Sequence, residues 1–143
     1  MFKAEPQPTP GRGSIPPDAV LEDSGRGRLW LWSPRPGLVA SVAEGRFTRA
    51  MAVATLAFVD AAAPKPLTVF HDWFAVSDYD SSARSVFTTW LLLHPHDAKA
   101  YHLAIGSKLV AMGVSVAALA TGAPLYVHRS RAAFAAQLAA MTG

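Results

Sequence analysis

From residue 28 onward, strand-like runs alternate with helix-like runs, and Pro or Gly marks most of the boundaries. No other feature constrains the fold as strongly, because alternating strands and helices pack as a parallel sheet joined by right-handed crossovers. Leu29–Trp32 and Leu38–Glu44 are strand candidates joined by Ser33-Pro34-Arg35-Pro36-Gly37, a segment that demands a reversal. After Gly45-Arg46-Phe47, Thr48 is positioned to cap a helix running to about Ala62. Met51, Phe58 and Ala62 form one face of that helix, widened by Leu56 and Val59, and Pro64 and Pro66 end it. Leu67–Asp72 reads as a buried central strand. A second helix over about Ser81–Leu93 has the stripe Val86, Phe87, Trp90 and Leu91, and Pro95 closes it. Ala100–Ile105 is a strand, Leu109–Thr121 a helix stopped by Gly122-Ala123-Pro124, and Leu125–His128 a strand. Ser130 then caps a last helix lined by Phe134, Leu138 and Met141. The expectation is an α/β sheet of about five strands in the order β-β-α-β-α-β-α-β-α, opened by an antiparallel hairpin.

A chain of 143 residues suits one domain, and 51% apolar against 16% charged residues supplies a core. Residues 1–27 read as a disordered Pro/Gly-rich tail and 28–143 as the domain. Pro6, Pro8, Pro10, Pro16 and Pro17, with four glycines, break both periodicities in the tail. The start lacks the basic and apolar regions of an export signal, and there is no cysteine; both fit a cytoplasmic protein. Residues 109–127 carry no charge over nineteen positions. The Gly-Ala-Pro break nevertheless leaves a helix of roughly 20 Å against a hydrocarbon core of about 30 Å, so no membrane insertion is expected.

If successive crossovers step the same way, their helices collect on one side of the sheet. The two-residue period then puts Trp30, Trp32, Phe70, His102, Tyr126 and His128 on the other, comparatively bare face. An aromatic, histidine-bearing face is a candidate interaction surface, and a homo-oligomer could use it. The competing reading is that the tail or another subunit covers it.

All ten acidic residues lie at or before Asp97, and Lys99, Lys108, Arg129 and Arg131 follow it. The net charge of +3 is neither clustered nor interleaved with aromatics, which argues against nucleic acid as a partner. Absence of cysteine removes thiolate metal sites and thiol nucleophiles. His94-Pro95-His96 is no helix-face ligand pair, and His71, His102 and His128 are scattered, so neither a metal nor another cofactor is expected. Asp78-Tyr79-Asp80 has the Asp-x-Asp form of a phosphoryl-transfer site but lacks further carboxylates to hold a metal. Gly-x-Ser-x-Gly is missing, and the two Gly-Arg-Gly runs, at 11–13 and 25–27, follow no strand. No constellation for catalysis remains.

Residues 69–83, VFHDWFAVSDYDSSA, carry the best functional signal. A strand ending in Asp72, an apolar Val76 and a helix opening Asp80-Ser81-Ser82 resemble the signature of STAS domains, the fold of anti-sigma factor antagonists. Val42–Thr48 resembles the family's strand–Gly–helix entry. Ala83 stands where the family has Gly and Arg84 where it has an apolar residue. With Ser107–Ser115, this makes the chain most similar to small single-domain STAS/SEC14-like (SpoIIAA-like) proteins. The resemblance implies a phosphoacceptor at Ser81, modified by a partner serine kinase, in a switch loop with Asp72, Asp78, Asp80 and Ser82. A phosphate there would meet the positive end of a helix but also crowd three carboxylates, altering the surface by repulsion. Plain N-capping by Ser81 and Ser82 is the simpler reading.

Two functions follow. One is a non-enzymatic regulatory module that binds a protein partner. The other, from the SEC14-like side, is a carrier or sensor of a small apolar ligand held by helix Leu109–Thr121 with Phe87 and Trp90. An apolar cavity of several hundred Å3 would favour the second.

Overall fold

The protein, described by a computed structural model over residues 15–142, is built on one six-stranded sheet. Its elements are β1 (Val20–Asp23), β2 (Gly27–Arg35), β3 (Leu38–Phe47), α1 (Arg49–Ala61), β4 (Leu67–Tyr79), α2 (Ser81–Leu93), β5 (Ala98–Ile105), α3 (Lys108–Thr121), β6 (Leu125–His128) and α4 (Arg131–Thr142). The strands lie side by side in chain order. β1, β2 and β3 are antiparallel, and β3 through β6 are parallel. The α/β alternation therefore has the expected architecture, with one strand more than the sequence suggests.

The extra strand corrects the extent of the tail. Residues 1–14 lie outside the described residues, but Val20–Asp23 pairs with Arg28–Leu31. A four-residue edge strand gains its order from the backbone ladder rather than from buried side chains, so it leaves little hydrophobic signature. The turn back to β2 is local. Gly25 takes φ +82, its N–H donates to Asp23 Oδ1 at 2.9 Å, and Ser24 N donates to Gly27 O.

Each crossover moves the chain one strand onward in the same direction, so α1, α2 and α3 share one side. The main core lies beneath them, with Leu29, Leu31, Val39, Met51, Val69 and Ile105 among its buried members. Side-chain alternation carries Trp30, Trp32, Phe70, His102, Tyr126 and His128 to the opposite face, since their neighbours Leu29, Leu31, Val69, His71, Tyr101 and Leu103 are buried on the helical side.

That opposite face is not bare. α4 lies on it, seating Phe134 against Phe70 (ring centroids 5.6 Å, edge-on) and forming a second cluster with Leu38 and Ala104. Because α4 follows the edge strand and is no crossover, the handedness rule does not hold it to the first side. Among the described residues, no helix is long and apolar enough to cross a membrane.

Candidate functional site: a pocket between two helices and its rim

The parallel strands β3 and β4 deliver their ends to one rim of the sheet, where α1, α2 and α3 begin. β4 does not stop at Asp72. It continues to Tyr79, re-pairing with Glu44–Phe47 through two register shifts at which β4 carries an extra residue, between Asp72 and Ala75 and between Val76 and Asp78. Asp72 is therefore buried in mid-strand, 1% exposed, and not part of a loop. Its Oδ2 accepts from Arg131 Nε at 2.9 Å, across the face that α4 covers. A buried carboxylate needs such a partner, and Arg131 is itself largely buried.

The remaining acidic residues of the expected switch segment are also paired. Arg46 donates to both Asp78 and Asp80, and Arg26 Nη2 stands 3.8 Å from Asp80 Oδ1. Asp80 further accepts from the Arg49 backbone N–H. The Arg46 hydrogen bond is the main cause that holds the Asp80 carboxyl below its ordinary range. Crowding of unpaired carboxylates is thus corrected: the arginines occupy the charges that were expected to repel a phosphate. Asp80 is the N-cap residue of α2 but makes no side-chain capping bond. Ser81, the first residue of α2, is exposed, and Ser82 is half-buried. Ser85 Oγ donates to the Ser81 carbonyl.

Beside this rim a pocket opens between α2, α3 and the sheet. Trp73, Val76 and Tyr79 of β4 form its floor, Arg84, Phe87 and Trp90 of α2 one wall, and Val110, Gly113, Val114 and Ala117 of α3 the other. Small residues on the inner side of α3 create the room. Tyr79 lies so close to α3 that a methyl group added at Gly113 would fall 2.5 Å from Tyr79 Oη. The void is about 90 Å3, below the several hundred Å3 that a whole lipid would need.

His71 also lines the pocket. Burial pushes its pKa down to about 3, so the ring is neutral near pH 7. Its Nδ1 and Ser41 Oγ share a 2.6 Å hydrogen bond, and the ring stacks on Trp73 at 4.9 Å. Sequence reasoning missed this pair, since the two residues are thirty positions apart and meet only through the β3–β4 register. It has the contact of a nucleophile with its base. However, Ser41 is buried away from the pocket wall, and a ring so hard to protonate is a weak base. Among the described residues Trp73 Nε1 is the one buried side-chain polar atom without a hydrogen-bond partner. It lies in a ring cluster with Phe47 and Phe87, at centroid distances of 4.8 and 5.5 Å.

Other expected residues gather elsewhere. His102 and His128 form a 3.0 Å hydrogen bond; burial and then the neighbouring His128 lower the His102 pKa. Phe70 stacks on His102 and is wholly buried, Tyr126 is exposed, and Trp30 and Trp32 are half-buried with Arg28 over the Trp30 ring. The predicted face exists, but α4 divides it. A metal could draw three ligand atoms from Asp60, His94 and Asp97, which lie within 4.8 Å of one another. Those atoms already have hydrogen-bond partners: Trp90 Nε1 donates to Asp60, and His94 meets Asp97 at 3.2 Å. His96, next to them in sequence, is exposed and outside the cluster.

No family model matches the chain, and no curated protein matches it. Among solved structures, it is similar to an uncharacterized protein of the DUF3478 family with a SpoIIAA-like fold from Shewanella loihica. That likeness has a TM-score of 0.54 and 14% sequence identity, and it covers 84% of this chain and 91% of the other.

Proposed function

We propose that this chain of SpoIIAA-like fold is a non-enzymatic regulatory module that docks a protein partner on the outer face of α3. The observation that carries the reading is the composition of that face. Leu109, Met112, Val116 and Leu119 recur at helical spacing, all exposed, Leu119 at 88%. No charged residue interrupts them between 109 and 121. Monomeric proteins rarely leave such a continuous apolar stripe in water, and interaction sites are the usual reason for one.

Ser81 supplies a switch at the same rim, since Ser107 at the head of α3 donates to the Ser77 carbonyl just before α2. A phosphate on Ser81 would add a charge of about −1.5 to −2 at a helix N-terminus, within one helical turn of Arg84. The partner would be an anti-sigma-type regulator or its serine kinase, by resemblance to STAS antagonists.

The test compares wild type, Met112→Glu/Leu119→Glu and Ser81→Asp in pull-downs from the native cells. A partner held by wild type and lost from the α3 variant, with its level changed by Ser81→Asp, is the expected result. An unchanged set of bound proteins in both variants would overturn the reading.

A second reading, a carrier or sensor of a small apolar ligand, rests on the pocket between α2 and α3. A void of about 90 Å3 is too small to enclose a whole lipid but takes a ring or a short branched chain through its open side.

A further inference from the structure

The pocket walls are hydrocarbon and aromatic rings, and only one of the residues lining it carries a full charge at neutral pH: Arg84. His71 is the other basic side chain there, and burial keeps it neutral. Arg84 is exposed on α2, and among the described residues its guanidinium has no hydrogen bond or ion pair. Arg46 at the rim, by contrast, donates to both Asp78 and Asp80. An apolar, uncharged interior with an unpaired cation at its edge selects an amphiphile whose charged end is negative and whose apolar end is short.

We propose that the pocket binds a small aryl or branched-alkyl carboxylate, with its hydrocarbon end between α2, α3 and β4 and its carboxylate outward on Arg84. This assignment rests on the ligand reading above and sharpens it. The void of about 90 Å3 limits the hydrocarbon end to at most one ring seated partly in the open mouth, since a cavity of about 150 Å3 is what encloses a whole benzene. The neutral floor excludes insertion of the charged end first, because an ion buried without a partner costs far more than one left at the mouth. A guanidinium also suits the planar, two-oxygen geometry of a carboxylate better than a point charge does.

The experiment titrates the full chain with 3-phenylpropionate, ethylbenzene, 3-phenylpropylamine and palmitate. Binding is read by calorimetry and by fluorescence of Trp73 and Trp90, both of which line the void. The expected order places 3-phenylpropionate first and 3-phenylpropylamine last. Arg84→Gln, at an exposed position that leaves the fold intact, should weaken 3-phenylpropionate about threefold to tenfold and leave ethylbenzene unchanged. Ala117→Phe, which fills the void from α3, should abolish both. Equal binding of the acid and the amine, or an Arg84→Gln variant with unchanged acid affinity, would overturn the carboxylate assignment while leaving a ligand pocket, and binding of palmitate alone would overturn the assignment of a small hydrocarbon end. Failure of all four probes would remove the ligand reading itself.

Discussion

α1 and α3 each leave a parallel strand, lie on the same side of the sheet and start on a hydroxyl cap. Thr48 Oγ1 accepts from Met51 N and Ser107 Oγ from Val110 N, both at 3.3 Å. Past that first turn they diverge. α1 turns Met51, Leu56 and Val59 inward, whereas α3 turns Val110, Gly113 and Ala117 inward and sends Leu109, Met112, Val116 and Leu119 out. The first arrangement maximises buried apolar area. The second gives up burial on both sides, leaving a void beneath the helix and an apolar stripe above it. One sheet side thus holds, on either side of α2, a helix committed to the core and one whose large side chains point outward.

That contrast is open to direct attack. Met51 is fully buried, so Met51→Ala should cost about 2–5 kcal/mol in urea unfolding. A cost near zero would mean that α1 does not anchor the core.

The next effect concerns dryness beneath α2 and α3. The His71 pKa, lowered to about 3 by burial, lies below the ordinary 6.5. Its contribution to stability is therefore complete above about pH 6.5 and is lost progressively as pH falls toward 3, because the unfolded chain takes up the proton first. His102, also lowered, acts in the same direction. Between pH 6.5 and 5, His71→Leu should flatten stability against pH by up to about 1.4 kcal/mol per pH unit. An unaltered slope would mean that water reaches the ring and that the α3 side is wet.

The smallest effect belongs to the outer stripe. Leu119→Ser should change unfolding stability by no more than about 0.5 kcal/mol, since the side chain is 88% exposed. A loss comparable to that of Met51→Ala would show that the stripe is structural and would erase the distinction between the two helices.

Much of this layout is legible in the sequence because it depends on local punctuation. Pro64 and Pro66 end α1, Pro95 follows α2, and Gly122 at φ +69 caps α3. α2 spans Ser81–Leu93 as expected, and α3 differs from expectation only by including Lys108. Two-residue alternation also assigns six side chains to one sheet face. What escapes is whatever depends on distant pairing. β1 forms because β2 offers a free edge, and β4 outruns Asp72 because extra residues in β4 let Ala75–Tyr79 keep pairing with β3. The pocket is hidden for a different reason: α3 is apolar nearly all round, so periodicity cannot tell which side faces in. Ser81 is readable as the head of a helix, but the arginines that neutralise its acidic neighbours come from positions 26 and 46.

The bond between Arg131 and Asp72 also sets an order of events during synthesis. The two residues are 59 positions apart, so at about 5–20 residues per second the carboxylate is made roughly 3–12 s before its counter-ion. Until then the Phe74 backbone N–H is the partner that Asp72 has close to it in sequence, and closing the middle of the sheet would bury a carboxylate without its counter-ion. Docking of α4, the last element made, is thus the step that completes the charge balance at the centre of the sheet.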